Sequence, residues 1–102
     1  MSEQDRRVLA VILHADVAGS TELVRRNETL AHSRIQEVFQ RFSRLIRDYG
    51  GITRELRGDA LLAEFSRASD AVCVAVSFQQ SNLVEEQAED MPLQLRIGIA
   101  MG

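Results

Sequence analysis

Two aspartates, Asp16 and Asp59, each lie where a predicted strand gives way to a turn. Asp16 follows the apolar run of residues 8 to 15 (VLAVILHA), and Asp59 lies in the segment ELRGDA at residues 55 to 60. Carboxylate oxygens are hard ligands, and magnesium is commonly held by one or two carboxylates together with phosphates and waters. The pair therefore indicates a divalent-metal site for a nucleoside triphosphate, to which the carbonyl of Val17 could add a ligand.

The residues that follow Asp16 could hold phosphates. Gly19 lets an anion approach the backbone closely, and a helix that begins near Ser20 or Thr21 offers free amide groups. Both hydroxyls are interpreted as helix caps rather than nucleophiles, because no histidine is placed to act as their base. Aspartates are also common in turns that bind no ligand, so a purely structural role for both carboxylates stays open.

Four other features have structural interpretations. His14 is expected to be packed within its strand, and His32 to be solvated on a polar helix flank. Cys73 is the one cysteine of the chain, and it is expected to be a small core residue because it can form no internal disulfide. The acidic residues 85 to 90 (EEQAED) are expected to form a solvated loop.

Hydrophobic periodicity predicts the first three elements. Residues 7 to 15 form an almost wholly apolar run, which is typical of a strand inside a sheet. A short helix through Arg25 follows, and Asn27 can cap a second helix. In that second helix apolar residues recur at spacings of three and four from Ile35 to Tyr49. Gly50 and Gly51 then end it, because glycine accepts the left-handed conformation.

The remaining segments predict a hairpin, a third helix and a last strand. Residues 52 to 56 and 61 to 65 are short runs joined through a glycine-aspartate pair, which is a strong hairpin signal. Ser66 or Ser69 can cap the third helix. Residues 93 to 99 alternate with a period of two, as a strand with one buried face does. The predicted apolar face of the third helix consists of Ala71, Val72, Ala75, Phe78 and Leu83.

The resulting order, βααββαβ, predicts an α+β fold of the ferredoxin-like sandwich type. Its sheet would have antiparallel character, with the helices packed on one face. In such a sheet the first strand lies beside the third, so Asp16 and the turn that carries Asp59 can approach one another. A single domain over residues 1 to 102, with a flexible start at residues 1 to 6, is the simplest organisation for a chain of 102 residues.

The composition makes several classes of protein unexpected. The formal net charge is -3, and the 12 basic residues form no stripe interleaved with aromatic residues, so nucleic-acid binding is not expected. No apolar run approaches the roughly 20 residues of a membrane span, and the start of the chain lacks the apolar region of a signal peptide. We therefore expect a cytoplasmic protein that does not bind membranes.

Three segments, in order, resemble motifs of the class III nucleotidyl cyclases, the adenylate and guanylate cyclases. They are HADVAGST at residues 14 to 21, GDALLAEF at residues 58 to 65 with Gly50 and Gly51 before it, and RIGIAMG at residues 96 to 102. The match spans nearly the whole chain. Several motifs in the right order and spacing are far more specific than one glycine pattern.

The resemblance implies that Asp16 and Asp59 hold two magnesium or manganese ions, with the carbonyl of Val17 as a further ligand. These ions would activate the ribose 3′-hydroxyl for attack on the α-phosphate and stabilise the departing pyrophosphate. Glu55 occupies a position where adenylate cyclases usually carry lysine and guanylate cyclases commonly carry glutamate, which favours GTP over ATP. The remaining substrate-binding residues implied are Ala18, Gly19, Ser20, Thr21 and Gly58.

The resemblance also implies that other parts of the active site lie outside this chain. Enzymes of the family are longer, and their further part carries a second purine-reading residue and the asparagine and arginine that act on the ribose and the transition state. Family active sites form between two domains, so a homodimer or a complementary cyclase domain is expected as partner. The chain alone, as a fragment or a truncated homologue, is expected to have little or no cyclase activity. A regulatory or dimerisation module and another palm-like phosphoryl-transfer protein are the alternatives.

Overall fold

A computed structural model describes residues 10 to 101 of the chain. The elements are, in order, β1 (Val11–Val17), α1 (Ser20–Arg26), α2 (Glu28–Asp48), β2 (Ile52–Arg57), β3 (Ala60–Phe65), α3 (Ala68–Glu86) and β4 (Leu95–Met101). The predicted order βααββαβ is therefore confirmed. The predicted flexible start at residues 1 to 6, and residues 7 to 9 of the predicted first strand, lie outside the described residues.

The four strands form one antiparallel sheet in the order β2-β3-β1-β4. In the centre of the sheet, Val11 of β1 lies opposite Phe65 of β3 and Met101 of β4. Alternate residues of β1 are buried in the core: Val11, Leu13, Ala15 and Val17. The predicted α+β sandwich, with an antiparallel sheet and its helices on one face, is confirmed.

The other face of β1 is more open than the apolar run suggested, and the prediction of a packed His14 was wrong. The His14 side chain is exposed. Its ring lies against Gly98 of β4, where an added Cβ would come within 2.4 Å of His14 Nε2. The apolar neighbours Leu13 and Ala15 pack on the opposite face, because successive side chains of a strand alternate between faces.

The helix α2 is the long amphipathic helix that the periodicity predicts. Asn27 caps it, since its Oδ1 accepts a hydrogen bond from the Leu30 amide at 3.1 Å. Gly50 follows the helix with a φ of 84°, as expected for a helix-ending glycine. Phe42 of α2 stacks on Phe78 of α3 with ring centroids 4.4 Å apart, which joins the two long helices in the core.

The helix α3 differs from its prediction at the start and on its apolar face. Its N-cap is Arg67, without a side-chain capping bond, so neither Ser66 nor Ser69 is the cap. Cys73, expected in the core, is exposed. The buried side chains are Ala71, Val74, Phe78, Asn82 and Glu86. The last two are polar, so the prediction from hydrophobicity missed them and named Val72 and Leu83 instead. The side chains of Val72 and Leu83 are 50% and 62% exposed.

Glu86 was expected in a solvated acidic loop, but it is the last residue of α3 and is buried. Its carboxylate accepts hydrogen bonds from Arg34 and Arg41 of α2, and from the amide of Leu93 at 2.8 Å. Asn82 donates to the Leu93 carbonyl at 2.9 Å. Pairing with two arginines makes burial of this charge tolerable. The cluster ties α2 to α3 and to the segment that enters β4.

No helix within residues 10 to 101 is both long enough and apolar enough to cross a membrane.

Candidate functional site

The pairing of β1 with β3 brings the two aspartates to one end of the sheet. Asp16 lies opposite Ala60, the residue that follows Asp59. The amide of Val17 donates a hydrogen bond to the carbonyl oxygen of Asp59 at 3.3 Å. The expected approach of the two segments is therefore observed, because the end of β1 lies beside the turn that precedes β3.

A tight turn between β2 and β3 carries Asp59. Arg57 pairs with Ala60 across the hairpin, so Gly58 and Asp59 form the turn. Gly58 has a φ of 57°, in the left-handed region where a side chain would be strained. Glycine thus permits the short connection, and the connection leaves Asp59 exposed at the end of the sheet.

Ser20 links the start of α1 to this turn. Its Oγ donates a hydrogen bond of 2.6 Å to Asp59 Oδ2. The N-cap of α1 is Gly19, which has a φ of 68°, and it makes no side-chain capping bond. The interpretation of Ser20 or Thr21 as the cap was therefore wrong. The serine hydroxyl instead contacts a carboxylate that the sequence places 39 positions away.

The backbone after Asp16 is only partly available to an anion. The amide of Ala18 donates to the carbonyl of Gln94 at 2.8 Å, which engages that amide within the fold. Gly19 immediately precedes α1, and Ser20 and Thr21 are its first residues. Amides at a helix start have no partner within the helix. The backbone that could contact a phosphate therefore runs from Gly19 to Thr21 rather than from Ala18.

Arg96 of β4 belongs to the site, although its sequence context did not single it out. It lies opposite Asp16 in the β1–β4 register, and its Nε donates a hydrogen bond of 2.7 Å to Asp16 Oδ1. This hydrogen bond, together with the negative charge of Asp16, raises the pKa of the Arg96 guanidinium above its ordinary value. The alternation in β4 predicted an outward position for Arg96, but no local pattern specifies its partner across the sheet.

Glu55 lies on the edge strand β2, which is separated by β3 from β1, the strand that carries Asp16. It pairs in register with Leu62, after a register shift that begins at Thr53. Its carboxylate accepts a hydrogen bond from Arg57 at 2.8 Å. Within residues 10 to 101, the hydrogen bonds of Glu55 do not reach Asp16 or Asp59.

A cavity of about 340 Å³ opens beside Asp59. Ser20, Thr21 and Asp59 supply a polar end, while Val24 and Ile35 supply apolar surface. His32 also lines the cavity, and its side chain is 60% exposed, which confirms the prediction that it is solvated. The cavity could therefore accept a ligand with one charged part and one less polar part.

The donors at this end of the sheet suit a hard divalent cation. Both carboxylates are accessible, since the Asp16 side chain is 41% exposed and Asp59 is exposed. No group of three or more histidine, cysteine, aspartate or glutamate side chains in the described part of the chain could hold a metal ion. A cation bound by the two aspartates would need further oxygen ligands from outside the side chains, such as phosphates, backbone carbonyls or waters.

Known proteins with similar sequences include nucleotide cyclases. No family model matches the sequence. A protein described as "Putative adenylate cyclase 3" from Rhizobium meliloti (strain 1021) is 35% identical over 106 aligned positions, which cover 98% of this chain and 18% of that protein. The chain thus spans less than a fifth of that relative's length.

Solved structures with the same fold include two cyclases that align with the same share of this chain. The adenylate/guanylate cyclase/hydrolase from Silicibacter pomeroyi is 37% identical with a TM-score of 0.77, over 92% of this chain and 56% of that one. The guanylate cyclase domain of RhGC from Catenaria anguillulae, in complex with GTP, has a TM-score of 0.77 over 92% of this chain and 56% of that chain. Its 16% identity shows the fold alone. The similarities in sequence and in fold are therefore both to adenylate and guanylate cyclases.

Proposed function

This chain is part of a class III nucleotidyl cyclase domain, and we propose that it supplies the metal-binding part of an active site that converts ATP or GTP into a 3′,5′-cyclic nucleotide and pyrophosphate. Its role would be in cyclic nucleotide signalling. The observation that carries this proposal is the strand register that sets Asp16 beside the turn bearing Asp59.

Asp16 and Asp59, with the carbonyl of Val17, would hold two magnesium or manganese ions. When bound, these ions supply the positive charge that favours ionisation of the ribose 3′-hydroxyl and stabilises the departing pyrophosphate. The chain's own contribution is to fix two hard carboxylates on adjoining segments of one sheet. Such preorganisation reduces the rearrangement needed as charge develops.

The nucleotide would contact the backbone from Gly19 to Thr21 through its phosphates. Gly58 keeps the facing turn free of a side chain, and the Ser20 hydroxyl orients Asp59 through its 2.6 Å hydrogen bond. Glu55 would accept hydrogen bonds from N1 and the 2-amino group of guanine, which favours GTP. That contact would replace the present ion pair of Glu55 with Arg57.

A second domain would complete the site. The groups that act on the ribose and on transition-state charge would come from the remainder of a cyclase domain and from a homodimeric or complementary partner. We therefore expect little or no cyclase activity from the chain alone, because loss of a cation that acts in the transition state can lower the rate of phosphoryl transfer by about 10³-fold or more.

Calorimetry of manganese-dependent ATP and GTP binding tests the proposal. The chain is compared with an Asp16→Asn/Asp59→Asn variant, and with Asp48→Asn as a control that neutralises an exposed carboxylate at the end of α2. We expect binding by the wild type and the control and loss of binding in the double variant. Tighter binding of GTP than of ATP would support Glu55 as the purine-reading residue.

A non-catalytic dimerisation module is the second candidate, and an apolar groove between α3 and β4 favours it. Val76 and Leu83 of α3 and Ile97 and Ile99 of β4 line this groove, which has a volume of about 390 Å³. If the calorimetry shows no nucleotide binding while the chain self-associates, the cyclase proposal fails and this second function is supported.

A further inference from the structure

The two carboxylates of the site have partners of different charge. Asp59 accepts its 2.6 Å hydrogen bond from the neutral hydroxyl of Ser20. Asp16 accepts its 2.7 Å hydrogen bond from the guanidinium of Arg96. A hydroxyl can act as donor or acceptor and can rotate, whereas a guanidinium carries a fixed positive charge. A cation that approaches Asp16 therefore meets a like charge that it does not meet at Asp59.

Arg96 is placed where its ion pair with Asp16 can open. Its side chain is 71% exposed, and the Asp16 side chain is 41% exposed. An exposed ion pair of this kind adds little to folding, because water screens the attraction and the long side chain loses freedom when it is held. Arg96 can therefore leave Asp16 without disturbing the core, and its backbone stays fixed by the β1–β4 register.

We propose that Arg96 and a divalent cation compete for the Asp16 carboxylate, so that a cation binds at Oδ1 only as the guanidinium leaves it. This inference rests on the proposed function, since it concerns the same metal ligand. Arg96 lowers the affinity of the site for a bare cation, because two positive charges within a few ångströms repel each other. The residue thus sets the cation concentration at which the site fills.

A competing interpretation gives the opposite result. If Arg96 acts only to orient Asp16, as donors around metal-binding carboxylates do, its removal weakens cation binding. The two roles are therefore separated by the sign of one change in affinity. Arg54 provides the matched control, because it forms an ion pair with Glu64 at 3.3 Å on the same sheet, and their side chains are 53% and 39% exposed.

Manganese titrations followed by electron paramagnetic resonance measure that sign without any turnover. We expect Arg96→Gln to bind Mn²⁺ about 3- to 20-fold more tightly than the wild type, the range set by charge separation and salt screening. Arg54→Gln should bind as the wild type does. Circular dichroism and the unfolding midpoint establish that each variant is folded, and both substitutions lie at exposed side chains.

A second readout follows the guanidinium itself. On addition of Mg²⁺ to the wild type, the Nε–H resonance of Arg96 should move toward the position of a solvated arginine, while that of Arg54 stays unchanged. An unmoved Arg96 resonance at saturating Mg²⁺ contradicts the proposal.

The outcomes also separate this inference from the proposed function. Equal or weaker Mn²⁺ binding by Arg96→Gln, with binding still abolished by Asp16→Asn, overturns the competition and leaves the metal site standing. Absence of binding in both the wild type and Arg96→Gln overturns both. Binding that appears only in Arg96→Gln supports the competition strongly.

Discussion

At the scale of single residues, the candidate site depends on a few side chains at one end of the sheet. Asp16 and Asp59 supply the negative charge, and Ser20 and Arg96 hold one carboxylate each. The Ser20 bond fixes Asp59 without a charge, while Arg96 neutralises Asp16. Removal of the charged partner of Asp16 should therefore change the cation affinity more than removal of the neutral partner of Asp59.

Gly58→Ala should destabilise the turn that carries Asp59. Gly58 has a φ of 57°, and an L-residue held there costs about 1 to 2 kcal/mol. We expect the free energy of unfolding, from urea denaturation, to fall by about 1 kcal/mol. Gly58→Asn is the matched control and should lose less, because asparagine tolerates this conformation. Equal stability of the alanine variant and the wild type would show that the turn can form in another way.

Local patterns identified Asp16, Asp59 and Gly58 because strand ends and glycine turns are visible in a short stretch of sequence. The same reasoning failed for Arg96, whose role depends on its register partner in a strand that begins 78 residues after the end of β1, at Leu95. It failed for Ser20 as well. A serine near a helix start suggests a cap, but here Gly19 is the N-cap, Ser20 is the first residue of the helix, and its hydroxyl contacts a distant carboxylate.

At the scale of elements, every helix and strand was predictable, but one buried face was not. The helix α2 was clear because its apolar residues follow one stripe. In α3 the stripe continues through Asn82 and Glu86, which are 3% and 5% exposed. Arg34, which pairs with Glu86, looks like a surface residue by type and is also 5% exposed. Polar residues that pair in the interior cannot be told from surface residues before their partners are known.

Glu86→Gln should lower stability far more than a change at its neighbour. The carboxylate is buried and pairs with Arg34 and Arg41. Its neutralisation leaves the buried Arg34 guanidinium with only the more exposed carboxylates of Glu37 and Glu89 as partners. We expect a loss of about 2 to 4 kcal/mol in the free energy of unfolding. Glu85→Gln, at the exposed adjacent position, should stay within about 0.5 kcal/mol of the wild type. Similar values for the two variants would contradict the buried pairing.

At the scale of the whole molecule, the chain spans 56% of the Silicibacter pomeroyi cyclase chain and leaves apolar surface exposed. Val76 and Leu83 are 50% and 62% exposed, and Met101 of β4 is 60% exposed. Apolar patches rimmed by polar residues commonly mark interfaces. The α+β sandwich was predictable as a whole because the order of elements restricts the topology. The order of elements does not determine which exposed surface could bind a partner.

We expect the purified chain to self-associate through the groove between α3 and β4. Leu83→Glu places a charge on this surface and should shift the chain toward the monomer in light scattering at high concentration. Ser69→Glu adds the same charge at an exposed position at the start of α3, outside the groove residues, and should leave association unchanged. A wild type that stays monomeric at every concentration would count against this interface.

Anomalous scattering from crystals grown with Mn²⁺ and GTP would establish whether Asp16 and Asp59 form one metal site. We expect manganese peaks for two ions, with carboxylate oxygens of both aspartates at coordination distance, about 2.0 to 2.1 Å for the similar hard ion Mg²⁺, and no such peaks in Asp16→Asn/Asp59→Asn. Manganese bound elsewhere in the wild type, or bound equally in the double variant, would contradict it.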